Sequence, residues 1–161
     1  MKVRASRLLA RSYAGLNKIR KAEDAAGDVE PAARAGIRLS AADELWARNR
    51  KGAAVEMYRS LVDNEQREIA RRALQRVALY TSDNRVAGFG KALKDFKERY
   101  ADDPFAEYCL WILGREALRR KDVKNAEGYF IEGLSKFPDG ENADRMKFWL
   151  YKFSEGRGDR D

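Results

Sequence analysis

The feature that most constrains this chain is a recurrence of small, aromatic and helix-ending residues at fixed separation. Ala126-x3-Phe130-x7-Pro138 reproduces Ala92-x3-Phe96-x7-Pro104 at a shift of 34 residues, and Ala54-x3-Tyr58-x2-Leu61 matches the same segment 38 residues earlier. An alanine and an aromatic four residues apart share one face of a helix, so the recurrence predicts one helix type used several times. Turn signals cut the chain into pieces of the length globular helices take. Ala26-Gly27-Asp28, Lys51-Gly52, Asp63-Asn64, Ser82-Asp83-Asn84, Asp102-Asp103-Pro104, Lys121-Asp122 and Pro138-Asp139-Gly140 are the breaks. No run alternates apolar and polar residues between hairpin turns, so sheets are not expected. The expectation is an all-α fold, an array of about eight antiparallel helices joined by short loops within a single domain over residues 1–161. Its parts would be a basic N-terminal hairpin region over 1–34, repeats over 35–155 and a frayed tail over 156–161.

The segment from Glu107 to Gly140 carries the fullest pattern. Leu110, Leu113, Gly114 and Ala117 fall on one face of a first helix, Ala126, Phe130 and Gly133 mark a second, and Pro138 closes the unit. The small Gly114 admits the paired helix, and Phe130 fills the crevice beside it. This pattern resembles the tetratricopeptide repeat family, which implies TPR-like helical hairpins stacked as a right-handed α-solenoid. Other copies depart from it, with Arg76 and Asp83, or Arg38 and Ala42, where apolar or differently placed residues belong.

A narrower likeness follows the best copy. Lys136-Phe137-Pro138-Asp139-Gly140 followed by Ala143-x5-Trp149-Leu150 resembles the superhelical, non-catalytic domain of bacterial soluble lytic murein transglycosylases. In that family a separate domain carries a glutamate acid in a Glu-Ser context, and no Glu-Ser dipeptide occurs here. The resemblance implies a scaffold, with peptidoglycan among its conceivable partners.

Charge is distributed unevenly. Residues 1–22 hold seven basic residues and no acid, while the remainder holds 26 of each sign, so the net +7 belongs to one segment. On a helical wheel Ala5, Leu8, Leu9, Tyr13, Leu16 and Ile19 share a face, opposite Arg4, Arg7, Arg11, Lys18 and Lys21. Residues 2–24 are therefore expected as an amphipathic helix whose apolar face caps the array. Pro31 suits the first turn of a second helix reaching about Arg48. If the basic face is used, Lys2, Arg4, Arg7, Arg11, Lys18 and Lys21 would contact a polyanion, either nucleic acid or anionic lipid. The compartment expected is cytoplasmic for a complete chain and periplasmic for a fragment without its signal peptide.

Catalytic chemistry finds few residues to work with. There is no histidine and one cysteine, Cys109, which excludes intrachain disulfides, Cys/His zinc sites and Ser-His-Asp or Cys-His catalysis. Asp102-Asp103 and Asp43-Glu44 are read as helix-start carboxylates favoured by the helix dipole. Gly88-Phe89-Gly90-Lys91 lacks the spacing of a phosphate loop and reads as a helix start. Cys109 and the three tryptophans, Trp46, Trp111 and Trp149, are expected in the interior. No catalytic residue, metal ligand or cofactor is assigned. The candidate binding residues are Tyr108, Trp111, Arg115 and Arg119, an aromatic–arginine cluster on the side of its helix away from Leu110 and Leu113. The resemblance to the tetratricopeptide repeat family implies a concave groove into which these residues would point. The function expected is that of a non-catalytic module holding a peptide or partner domain there.

Overall fold

The computed structural model describes residues 2–16, 21, 24, 25, 29–86 and 89–158. Among these residues all regular structure is helical, in eight helices and no strand. The described chain forms two compact units, residues 1–84 and 85–161.

The first unit holds α1 (Lys2–Gly15), α2 (Pro31–Ala47), α3 (Lys51–Arg59) and α4 (Arg67–Asp83). Pro31 occupies the first turn of α2, where its missing N–H costs nothing, and Arg48 caps the end. α2 packs on α1 and α3, and α3 on α4. Its interior is built from Ile37, Ala41, Ala42, Leu45, Ala54, Val55 and Tyr58, all essentially without exposure. Tyr58 donates its phenol to Asp43 Oδ1 at 2.7 Å, and burial together with this bond pushes the phenol's pKa well above its usual range. Asp43 and Glu44 thus lie in the last turns of α2, not at a helix start, because the chain reverses only after Ala47. The reversal uses Asn49 at φ 60°, a left-handed position an asparagine tolerates, and Gly52 is instead taken into α3.

α1 corrects a second expectation. Its contact with α2 is made by Ala10 and Ala14, which are 0% and 1% exposed, while Leu8, Leu9 and Leu16 stand 59%, 51% and 66% exposed. The face expected inside faces outward. Small side chains let the two helices approach closely, and Arg11 of α1 pairs with Glu44 of α2 at 3.1 Å. Lys18, Ile19 and the Ala26-Gly27-Asp28 break lie outside the described residues, as does Gly88.

The irregular positions of the earlier copies have local explanations. Arg76 lays its guanidinium 4.7 Å from the Trp46 ring centroid, so a cation–π contact replaces an apolar one. Ala42 is fully buried, and Asp83 is exposed at the end of α4. Arg38 keeps a buried Nε with no hydrogen-bond partner among the described residues.

The second unit holds α5 (Phe89–Arg99), α6 (Pro104–Arg119), α7 (Val123–Lys136) and α8 (Ala143–Gly158). The helix start expected at Gly88-Phe89-Gly90-Lys91 is found at Phe89, and the last helix continues to Gly158, beyond the frayed end expected from residue 156. Caps place the turns: Asp103 accepts from the Phe105 N–H at 2.9 Å, with Pro104 next in line, and Asp122 accepts from the Asn125 N–H at 3.2 Å. Lys121 turns the corner between α6 and α7 at φ 61°.

Close approach explains two glycines here. A methyl group on Gly114 would overlap Cε1 of Phe130 and stand 2.8 Å from its Cδ1 and Cζ. One on Gly133 would stand 2.5 Å from Met146 Sδ. Side chains of α7 and α8 are therefore seated on bare backbone, and Leu110, Trp111, Ala126, Phe130 and Met146 form one cluster over them. α6 packs between α5 and α7, and α8 on α7.

Two further links join residues about one repeat apart. Glu107, buried in α6, accepts the backbone N–H groups of Glu141 at 3.1 Å and Asn142 at 2.5 Å, just before α8 begins. Its carboxylate meets the positive end of that helix and lies against Gly140, where a Cβ would come within 2.5 Å of Glu107 Cδ. Lys97 on α5 donates to both carboxylate oxygens of Glu132 on α7 at 3.1–3.2 Å.

Candidate functional site

α6 is the best-formed helix of the second unit, and its two sides divide by residue type. One side buries Leu110, Leu113, Gly114 and Ala117. The other carries the cluster expected to bind. Tyr108 is half-buried and stacks on Phe105 with centroids 5.1 Å apart. Trp111 is 8% exposed, tilted against Phe130 at 5.6 Å. The large ring thus serves as floor rather than as a projecting platform, as expected for a tryptophan in the interior.

Two exposed guanidinium groups lie over that floor. Arg115, one turn along α6, stands 5.6 Å from the indole centroid, and Arg145, from α8, stands 6.0 Å from it. Arg145 also donates to Asn142 Oδ1 at 3.1 Å. Neither arginine has a carboxylate partner among the described residues. A guanidinium near an aromatic face can still offer N–H groups to a carboxylate in two-pronged fashion.

Arg119 takes a different role. It donates from Nε and Nη2 to Glu116 at 2.9 and 2.7 Å, and Arg120 adds a third bond at 2.8 Å. These bonds, Arg119's first, hold the Glu116 carboxyl at about 2. Of the four expected residues, the structure brings Trp111 and Arg115 together, sets Tyr108 on Phe105 and commits Arg119 to Glu116. Arg145 was missed. Its signal was positional: it lies 34 residues after Trp111, the spacing at which the alanine and aromatic residues recur.

The first unit repeats the local chemistry. Trp46 has Arg76 at 4.7 Å and Lys51 at 5.3 Å from its ring centroid, with the Tyr58 edge at 6.0 Å. An open cleft of about 430 Å³ runs beside it, lined by Arg11, Asp43, Glu44, Arg72 and Arg76 among others. Its charges are largely used: Arg72 pairs with Asp43 at 3.0 Å, and Glu44 with Arg11 and Arg48 at 3.1 and 2.7 Å. Those bonds hold the Glu44 carboxyl below the usual carboxylate range, Arg48's being the larger.

A second cleft, of about 600 Å³, opens in the C-terminal unit beside Lys91, Lys94, Arg120 and Tyr129. Its acids are Glu116, held by arginines, and Asp122, which caps α7. Neither cleft sets a pair of free carboxylates face to face, as glycosidic acid–base chemistry requires.

Other expected residues are placed as follows. Asp102 is exposed before α6 and Asp103 caps it. Cys109 is fully buried, and burial raises its thiol pKa far above the ordinary range. Trp149 is half-buried against the α6–α7 cluster. On α1, Lys2 and Arg4 are exposed, Arg7 lies 3.7 Å from where a Gly36 Cβ would be, and Arg11 is paired. Lys21 sits 5.9 Å over the Tyr13 ring, and Lys18 is outside the described residues. No group of three or more acids and cysteines among the described residues is placed to hold a metal ion.

Comparison with family models, with curated proteins and with solved structures returns no match.

Proposed function

We propose that this chain is a non-catalytic, tetratricopeptide-like scaffold, a right-handed solenoid of antiparallel helical hairpins that holds an acidic peptide segment of a partner protein. One observation carries the reading: Trp111 lies beneath two arginines, Arg115 and Arg145, that come from different helices and lack carboxylate partners among the described residues. The repeat reading is supported by Ala54/Tyr58, Ala92/Phe96 and Ala126/Phe130, each a buried pair on its own helix. A rigid aromatic floor with cationic forks above it is the composition of interaction hot spots. Each guanidinium fork can take a carboxylate of an acidic peptide through two parallel hydrogen bonds.

The likeness to murein transglycosylase scaffolds belongs to the same proposal, with the segment Lys136–Leu150 as its only support. The test uses fluorescein-labelled peptides of alternating Glu and Phe, with Lys–Phe and Gln–Phe controls, titrated onto the intact chain. The acidic peptide is expected to bind best. R115A and R145A should each weaken it about tenfold, equivalent to ~1.4 kcal/mol, with the helical circular dichroism unchanged. Equal binding of all three peptides, or no loss in the double variant, overturns the reading. Co-sedimentation with purified murein sacculi in place of peptide binding would move the ligand to a glycan.

A further inference from the structure

We propose that α1 is an interfacial helix that seats this chain on an anionic phospholipid surface. The inference rests on the first unit alone and is independent of the peptide site. α1 is turned so that Ala10 and Ala14 meet α2, and on a helical wheel Leu8, Leu9 and Leu16 then fall on the opposite side, where each is more than half exposed. Three large apolar side chains exposed on one side of a single helix, with the small Ser12 between Leu8 and Leu16, offer an apolar strip to a partner.

Charge names the occupant. Lys2 and Arg4 are exposed beside the strip, Arg11 reaches across its flank to Glu44 while remaining half exposed, and no acid occurs in residues 1–22. A second copy of the chain would bring the same basic stretch against itself and be repelled. Duplex nucleic acid would take up the arginines but leave the leucines in water. An anionic bilayer satisfies both sets at once, leucines at the acyl boundary and cations among the headgroups. The alanine contact leaves the leucines outward while α1 stays packed on α2. No described helix is long and apolar enough to cross a membrane, so the helix lies along the surface.

The experiment is flotation of the intact chain with large unilamellar vesicles, either pure phosphatidylcholine or the same lipid with about one-third phosphatidylglycerol. The chain is expected to float with the anionic vesicles alone, and rising salt should weaken it as the surface potential is screened. The triple variant L8Q/L9Q/L16Q changes only exposed positions and should reduce partitioning at least tenfold with unchanged circular dichroism. R4Q should cost about fivefold. No flotation with anionic vesicles overturns the proposal. So does flotation that the triple variant leaves intact, since that is the behaviour of a purely electrostatic phosphate contact. Sedimentation velocity supplies the remaining outcome: a dimer dissociated by the triple variant, without vesicle binding, assigns the strip to self-association and rejects the lipid.

Discussion

Phe130→Ala is expected to destabilise the C-terminal unit by about 3–5 kcal/mol, a large part of the stability such a unit commands. The ring is wholly buried, leans on Trp111 at 5.6 Å and Phe153 at 6.3 Å, and rests on the bare backbone of Gly114. Removing it leaves a void that three helices border, and rigid helices close such a void only in part. The complementary change, Gly114→Ala, places a methyl where the ring already is and should cost about 1–3 kcal/mol through displaced side chains. Because the two act on one contact, they cannot be additive. Gly114→Ala combined with Phe130→Leu should be less harmful than the sum of the two single changes. Denaturant unfolding followed by tryptophan fluorescence in a Trp46→Phe background, where Trp111 and Trp149 report, measures all four variants. A loss below about 1 kcal/mol for Phe130→Ala would show that the ring is not the packing centre described.

Tyr58→Ala should do comparable damage to the N-terminal unit, about 3–5 kcal/mol, and Tyr58→Phe distinguishes its two contributions. The ring is fully buried at the position equivalent to Phe130, edge-on to Trp46, so the alanine variant loses packing as well as a polar contact. The phenylalanine variant keeps the packing and removes only the hydrogen bond to Asp43, which still has Arg72 at 3.0 Å. Its cost should be nearer 1–2 kcal/mol. Trp46 fluorescence, in a chain whose other two tryptophans are replaced by phenylalanine, reports the transition. Equal losses in the two variants would mean that the hydroxyl, not the ring, holds this unit.

The residues that could be read in advance are those whose structural consequence is local. Asp103-Pro104 and Asp122 announce helix starts because a carboxylate two or three residues ahead of a free N–H satisfies it whatever the rest of the fold does. Gly114 and Phe130 were legible through their spacing, since a glycine mid-helix is costly unless something large must come close. The rotation of α1 was not legible. Its larger apolar face holds the leucines, yet Ala10 and Ala14 are the residues buried, a choice that depends on what α2 presents. Asp43-Glu44 was read as a helix start on the preference of carboxylates for that end, although the helix expected from Pro31 to about Arg48 already contained it; the left-handed corner that follows is Asn49. The proposed binding face followed the same rule in part. Trp111 and Arg115 are one turn apart on a single helix and so appear together in sequence, while Arg145 joins them only through α8.

The tie from Glu107 to the Glu141 and Asn142 amides bears on how the molecule carries mechanical load. Traction on the last helix would reach α6 through that buried carboxylate before it could peel α7 turn by turn. When the tie and the Phe130–Gly114 packing yield together, they set free a stretch of chain of about 120 Å of contour at full extension. A molecule stretched from its ends should therefore lengthen there in a single jump, and a variant lacking the carboxylate should give way gradually.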